Sequence, residues 1–324
     1  MNLTVNKKTL FSIIISSILS LVLAAIPWEL WRGSEYYDRE NYTNTIDDSL
    51  NKIYWFDYDT FLSKLSNEWL WHKFLDFSVD TLHLNSAEIL YFISVFLVFT
   101  SSLFLARRYG YLSVIFLLNP LFINFMYSQL RLAFVMALLF VSYYLYKKNN
   151  KLYLLLVLIT PFIHTSAVTF VAMFAAALMF EKTVKIKPIF KTTLSILIGL
   201  GIGIATGPLM STILTAIDDR RSEYTDMSSS IVYMSFWLIL FAYFSLKGLF
   251  ESKHRTFSFY ISLMVLALVA VQAVMGGYAS RFLVALFPFV IAAMLETKAK
   301  EQPIVIISYL AYSFMLWFYW INYG

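Results

Sequence analysis

The stretch that decides the fold is residues 120–167, PLFINFMYSQLRLAFVMALLFVSYYLYKKNNKLYLLLVLITPFIHTSA. It holds apolar runs typical of membrane-spanning helices, interrupted by the basic cluster KKNNK. A single arginine, Arg131, lies in the run before this cluster, and a single histidine, His164, follows Pro161 in the run after it. Ionisable groups near hydrocarbon are costly, so both residues are candidate functional groups. The alternative is that Arg131 extends to the lipid headgroups and that His164 is a hydrogen-bonded packing residue.

The same pattern extends over the whole chain. Hydrophobic residues make up 60% of the 324 residues and charged residues only 14%, with a mean hydropathy of +0.68. Soluble chains carry about 25% charged residues, so a soluble globular protein is excluded. The absence of cysteine excludes disulfides and thiol chemistry. We predict one all-α integral membrane domain, residues 1–324, with about 11 spans. Their predicted ranges are 9–27, 88–106, 110–128, 130–146, 152–163, 165–180, 190–209, 230–247, 257–275, 282–296 and 303–321.

The charges between these runs predict the orientation of the chain. If the N-terminus is cytoplasmic, the cytoplasmic side carries 16 of the 25 basic residues and 4 of the 20 acidic residues, a net charge of +12. This distribution follows the positive-inside rule. Two larger segments, about 28–87 and 210–229, then lie on the outer face of the membrane. Within the first, FLSKLSNEWLWHKFL (61–75) has apolar residues at helical spacing, which predicts an amphipathic helix at the outer interface.

The apolar run 152–180 is predicted to break near Pro161. One tilted helix over this run would invert every later loop against the charge rule. Proline cannot continue the helical hydrogen-bond pattern, and the arm before it would be only ~18 Å long. Non-helical backbone at membrane depth is tolerated only inside protein or beside water. We therefore predict a broken span and a water-filled cavity beside His164.

The predicted topology places three isolated ionisable residues, Arg131, His164 and Arg281, on the outer side. Arginine suits bidentate recognition of phosphate, and histidine can accept a proton near neutral pH. This combination indicates a diphosphate-bearing lipid and proton transfer involving a hydroxyl group. No metal site or cofactor is predicted. Further polar candidates on this side are Gln129, Gln272, Arg220 and Arg221, although Gln272 could join helices and the two loop arginines could form local ion pairs.

Residues 115–178 resemble the EpsG-like branch of the Wzy-type polysaccharide polymerases. The resemblance rests on Arg131 with Ala133, the basic turn KKNNK, and the motif His164-Thr165-Ser166-Ala167. Weaker similarity comes from the early acidic and aromatic loop with Asp38, Tyr42 and Glu68, and from the late Arg281.

The resemblance implies a glycosyltransferase-C-like fold in a bacterial cytoplasmic (inner) membrane and metal-independent, inverting glycosyl transfer at the outer face. The growing glycan on undecaprenyl diphosphate would be the donor and a lipid-linked repeat unit the acceptor. The resemblance also implies membrane lipids as partners and allows a chain-length regulator as another. It implies no nucleic-acid partner. Alternatives are a lipid-linked oligosaccharide flippase or transporter, and an O-antigen ligase-type transferase. The catalytic candidates are His164, Arg131, Arg281 and Glu68; the substrate-binding candidates are Gln129, Arg220, Arg221, Tyr278, Asp38 and Gln272.

Overall fold

The computed structural model describes residues 7–48, 58–210, 212, 215, 231–251 and 255–323. Across these residues the chain forms helices and turns without a β-strand. It divides into two compact units, residues 1–168 with 315–324 and residues 169–314. The all-α prediction is therefore confirmed for the described residues.

The first unit contains long apolar helices connected by short ones. Its helices are α1 (Lys7–Ala25), α2 (Trp28–Arg32), α3 (Tyr37–Asp47), α4 (Phe61–Ser66), α5 (Trp69–Asp76), α6 (Ser86–Tyr109), α7 (Pro120–Ser128), α8 (Leu130–Lys147) and α9 (Leu152–Ile159). A π-helical turn (Phe77–Thr81) and 3-10 segments (Tyr111–Leu117 and Thr160–Phe162) lie between them. Helix α6 packs against both α1 and α8.

The remaining helices are α10 (Ala167–Lys182), α11 (Pro188–Ala205), α12 (Ile231–Phe250), α13 (Phe257–Met275), α14 (Ala279–Ala285), α15 (Phe287–Leu295) and α16 (Gln302–Tyr323). In the second unit α13 packs closely along α11. Glycine permits this approach, because a Cβ at Gly199 would collide with the Met264 carbonyl oxygen. Small residues of this kind allow membrane helices to pack backbone against backbone.

Seven described helices, α1, α6, α8, α11, α12, α13 and α16, are long and apolar enough to cross a membrane. Segments 111–117 and 120–128, predicted as one span, are bent by 76° and would make an eighth if counted together. Three other predicted spans coincide with shorter helices: 152–162, 167–182, and the pair 279–285 and 287–295. The helices are consistent with a helical membrane bundle, and the count of 11 stays a prediction.

The predicted break near Pro161 is confirmed. Helix α9 ends at Ile159, a 3-10 turn covers Thr160–Phe162, and α10 begins only at Ala167. The single amphipathic helix predicted over 61–75 is wrong, because the chain there forms α4 and α5 with a break at Asn67 and Glu68. Each break leaves a short non-helical segment whose side chains can turn towards neighbouring helices.

Candidate active site

The break between α4 and α5 gives Glu68 its position. Thr60 and Ser63 form a capping box that begins α4, and Glu68 precedes α5 with φ +54° in the left-handed region. A non-glycine residue seldom adopts this conformation, which costs about 1–3 kcal/mol and is found preferentially at functional sites. Glu68 is only 4% exposed, although glutamate is one of the residues most often found at the surface.

Arg131, the second residue of α8, is held on two sides. Its Nε donates a hydrogen bond to the Tyr42 hydroxyl at 3.0 Å, and its Nη1 forms an ion pair with Glu68. The guanidinium also lies over the Tyr42 ring, 5.5 Å from its centre. Nη2 has no hydrogen-bond partner within the described part of the chain, and the side chain is one-third exposed. The guanidinium is therefore fixed, with one edge open to an anionic ligand.

His164 lies in the non-helical segment before α10 and contacts the same carboxylate. Its Nδ1 is 2.5 Å from Glu68 Oε1, which also accepts a hydrogen bond from the Thr165 backbone N–H at 3.2 Å. Since an ionised carboxylate only accepts hydrogen bonds, Nδ1 carries the proton. Nε2 has no partner among the described residues, and the side chain is 24% exposed. A histidine oriented in this way by a carboxylate can accept a proton at Nε2.

The ionisation state of Glu68 decides whether Glu68 or His164 can act as the base. Burial raises its pKa, but the charge of Arg131, together with hydrogen bonds from His164 and Thr165, holds that pKa well below its usual range. The carboxylate is therefore ionised at neutral pH and is a weak base. This arrangement favours His164 as the acid–base group and Glu68 as the group that orients it, rather than Glu68 as the base.

Helix α3 joins the site to α7 and α8 through side-chain contacts. Asp38 accepts a hydrogen bond from the Gln129 amide, so two predicted substrate-binding residues contact each other. Arg39 donates to the Tyr127 carbonyl oxygen at 3.3 Å and lies 4.0 Å from the centre of the Tyr127 ring. The roles of Tyr42 and Arg39 were not predicted. A signal was available, because Asp38 and Tyr42 are four residues apart and share one helix face.

The other predicted site residues belong to the second unit or to the undescribed residues. The Arg281 guanidinium, on α14, lies 4.3 Å from the centre of the Tyr278 ring. Gln272 is buried on α13 and donates a hydrogen bond to the Thr206 hydroxyl at 2.9 Å, which joins the ends of two helices. Arg220 and Arg221 lie outside the described residues.

The described residues contain no group of three or more His, Asp or Glu side chains that could hold a metal ion. In comparisons with known proteins, no family model, no curated protein and no solved structure matches the chain. The candidate site is therefore defined by its own geometry: an ionised buried carboxylate that joins a partly open arginine to a partly open histidine.

Proposed function

We propose that the protein is a polysaccharide polymerase that joins undecaprenyl-diphosphate-linked repeat units at the outer face of the bacterial cytoplasmic membrane. The observation that carries this proposal is the Arg131–Glu68–His164 cluster, in which one carboxylate fixes both an anion-binding group and a proton acceptor. A glycosyl diphosphate needs both groups in its reaction with a hydroxyl. The resemblance of residues 115–178 to the EpsG-like polymerases adds support for this reaction class.

In the proposed reaction, an acceptor hydroxyl oxygen attacks the anomeric carbon of the donor sugar. The new C–O bond forms as the bond to the diphosphate oxygen breaks, with inversion at carbon. The hydroxyl proton moves to His164 Nε2, and the ionised Glu68 stabilises the resulting imidazolium. The departing diphosphate gains negative charge, which the open edge of Arg131 stabilises. The predicted role of Arg281 stays a prediction, and the proposed reaction is metal-independent.

Reconstitution in vesicles with a purified lipid-linked repeat unit tests the proposal. The wild-type protein should give a ladder of products that differ by one repeat unit. Arg131→Ala and His164→Asn should insert normally but abolish the ladder. His83→Asn is the matched control, because His83 is exposed and asparagine tolerates its left-handed backbone (φ +54°). Normal product lengths from Arg131→Ala or His164→Asn would contradict the proposal.

The same assay separates the alternatives. Transfer of a preassembled glycan to a different acceptor, without a ladder, would indicate a ligase. Movement of the lipid-linked unit across the vesicle membrane without any transfer would indicate a flippase.

A further inference from the structure

Helix α9 is partly or fully exposed along its whole length. None of its residues, Leu152–Ile159, is buried. Leu152, Leu155 and Leu158, each three residues apart along one side, are 48%, 55% and 67% exposed. The opposite side packs on α8, whose first turn carries Arg131. The exposed leucines therefore form an apolar strip on a helix that is attached directly to the candidate site.

The strip is too short to match a bilayer. Helix α9 and its 3-10 turn comprise 8 and 3 residues, giving a rise of ~18 Å against a hydrocarbon core of ~30 Å. A short apolar helix is accommodated by local thinning of the bilayer or by other apolar material beside it. The polar segment with His164 therefore begins within the depth range of the hydrocarbon core of the bilayer.

The strip ends close to the site along the chain. At its end, the ring of Phe162 contacts the exposed Phe61, with 5.4 Å between ring centres. His164 follows two residues later and joins the carboxylate that holds Arg131. An apolar chain on the strip would thus have its head group beside the open guanidinium edge of Arg131.

We propose that the leucine strip of α9 (Leu152, Leu155 and Leu158) is the docking surface for the polyisoprenoid chain of the lipid-linked substrate, with its diphosphate at Arg131. This inference rests on the proposed function. The occupant is a diphosphate-headed lipid because the strip ends near the Arg131 guanidinium. The open edge of this cation suits a diphosphate better than a neutral head group.

A second apolar surface offers a competing location and a matched control. It is a groove of about 250 Å³ lined by Ile15, Ile18, Leu19, Val22 and Val114. Ile18 and Val22 are 57% and 51% exposed, close to the values for the α9 leucines. Helix α1, which carries most of this lining, packs mainly on α6, whereas α9 packs on α8, the helix that carries Arg131. We therefore place the substrate chain on α9.

The experiment compares the double variant Leu155→Ser/Leu158→Ser with Ile18→Ser/Val22→Ser in reconstituted vesicles. Donors with a full-length polyisoprenoid chain and with a chain of two isoprene units are assayed in parallel. The α9 variant should raise KM at least about fivefold for the long donor, and less than about twofold for the short one. The α1 variant should leave both KM values within about twofold. Leu155→Trp/Leu158→Trp, which stays apolar, should reproduce the long-donor defect if insertion of the serine variant fails.

An equal change for both donors, or a long-donor defect confined to the α1 variant, would overturn the docking proposal. If no variant and no wild-type protein forms a product ladder, the proposed function fails instead. In that case, labelling with a photoreactive polyisoprenyl diphosphate decides the docking question separately. Adducts within residues 152–162 support it, and adducts within residues 7–25 or spread over all apolar helices refute it.

Discussion

Replacing Glu68 with glutamine tests the candidate site without any assumption about the reaction. The change keeps the shape of the side chain but removes the charge that faces Arg131 and His164. Removing one partner of a buried ion pair costs about 3–5 kcal/mol, and we expect about 3 kcal/mol because Arg131 is one-third exposed. Glu40→Gln is the control: Glu40 is exposed on α3, and its replacement should change stability by less than about 0.5 kcal/mol.

The measurement is equilibrium unfolding of the purified protein in mixed detergent micelles, arranged as a double-mutant cycle with Arg131→Met. Arg131→Met removes the unpaired charge that Glu68→Gln leaves behind, so the double variant should be more stable than the sum of the single losses predicts. The expected coupling is about 2 kcal/mol, within the range for residues in contact. Losses that add to within about 0.5 kcal/mol would refute the ion-pair argument.

The same variant tests the depressed pKa of Glu68. A carboxylate whose pKa is lower in the folded protein contributes stability that is fully present above its unfolded pKa, about 4.3 for glutamate. That contribution is lost as the pH falls through the folded pKa. Wild-type protein should therefore lose stability below about pH 4 more steeply than Glu68→Gln. Parallel stability curves for the two proteins would show that Glu68 is not stabilised in its ionised form.

Three further predictions follow from other contacts. Tyr42→Phe removes the hydrogen bond to Arg131 Nε and should slow ladder formation about fivefold to tenfold, whereas Tyr37→Phe, at an exposed position of the same helix, should have no effect on the measured rate. Gly199→Ala should destabilise the protein by about 1–3 kcal/mol in the same unfolding assay, because the new Cβ would collide with Met264 and Ala267. Gly201→Ala is the control: no atom lies within 4 Å of its Cβ position, so the change should be neutral or stabilise the protein by up to about 1 kcal/mol. Hydrogen bonds from Lys298, Lys247 and Arg255 lower the pKa of Glu251 to about 2, so Glu251→Gln should flatten the loss of stability between about pH 4 and pH 2.

Much of the fold is visible in the sequence because hydrophobic runs and helix breakers act locally. Pro161 predicts the break between α9 and α10, since proline lacks the N–H that the helix needs. The bend within 110–128 had a comparable signal: Asn119 caps α7, and Pro120 occupies its first position. The length of a helix on either side of such a break depends on caps and packing, so hydropathy alone does not establish the number of spans.

The candidate site was less predictable than the fold. Arg131 and His164 stood out because single charges in apolar runs are costly. Glu68 was identified only through the resemblance, and its role depends on a left-handed backbone conformation that no glycine marks. The contacts of Arg131 with Tyr42 and of His164 with Glu68 join residues far apart in the chain, and periodicity carries no information about such pairs. The predicted proximity of Arg281 stays a prediction.

The long separation between Glu68 and its partners has a consequence for synthesis of the chain. Arg131 follows Glu68 by 63 residues and His164 by 96. At a synthesis rate of about 5–20 residues per second, Glu68 waits about 3–13 s for the arginine and about 5–19 s for the histidine. The arginine is therefore available to the carboxylate before the histidine is made. The order of synthesis thus allows the Arg131–Glu68 ion pair to form before the contact with His164.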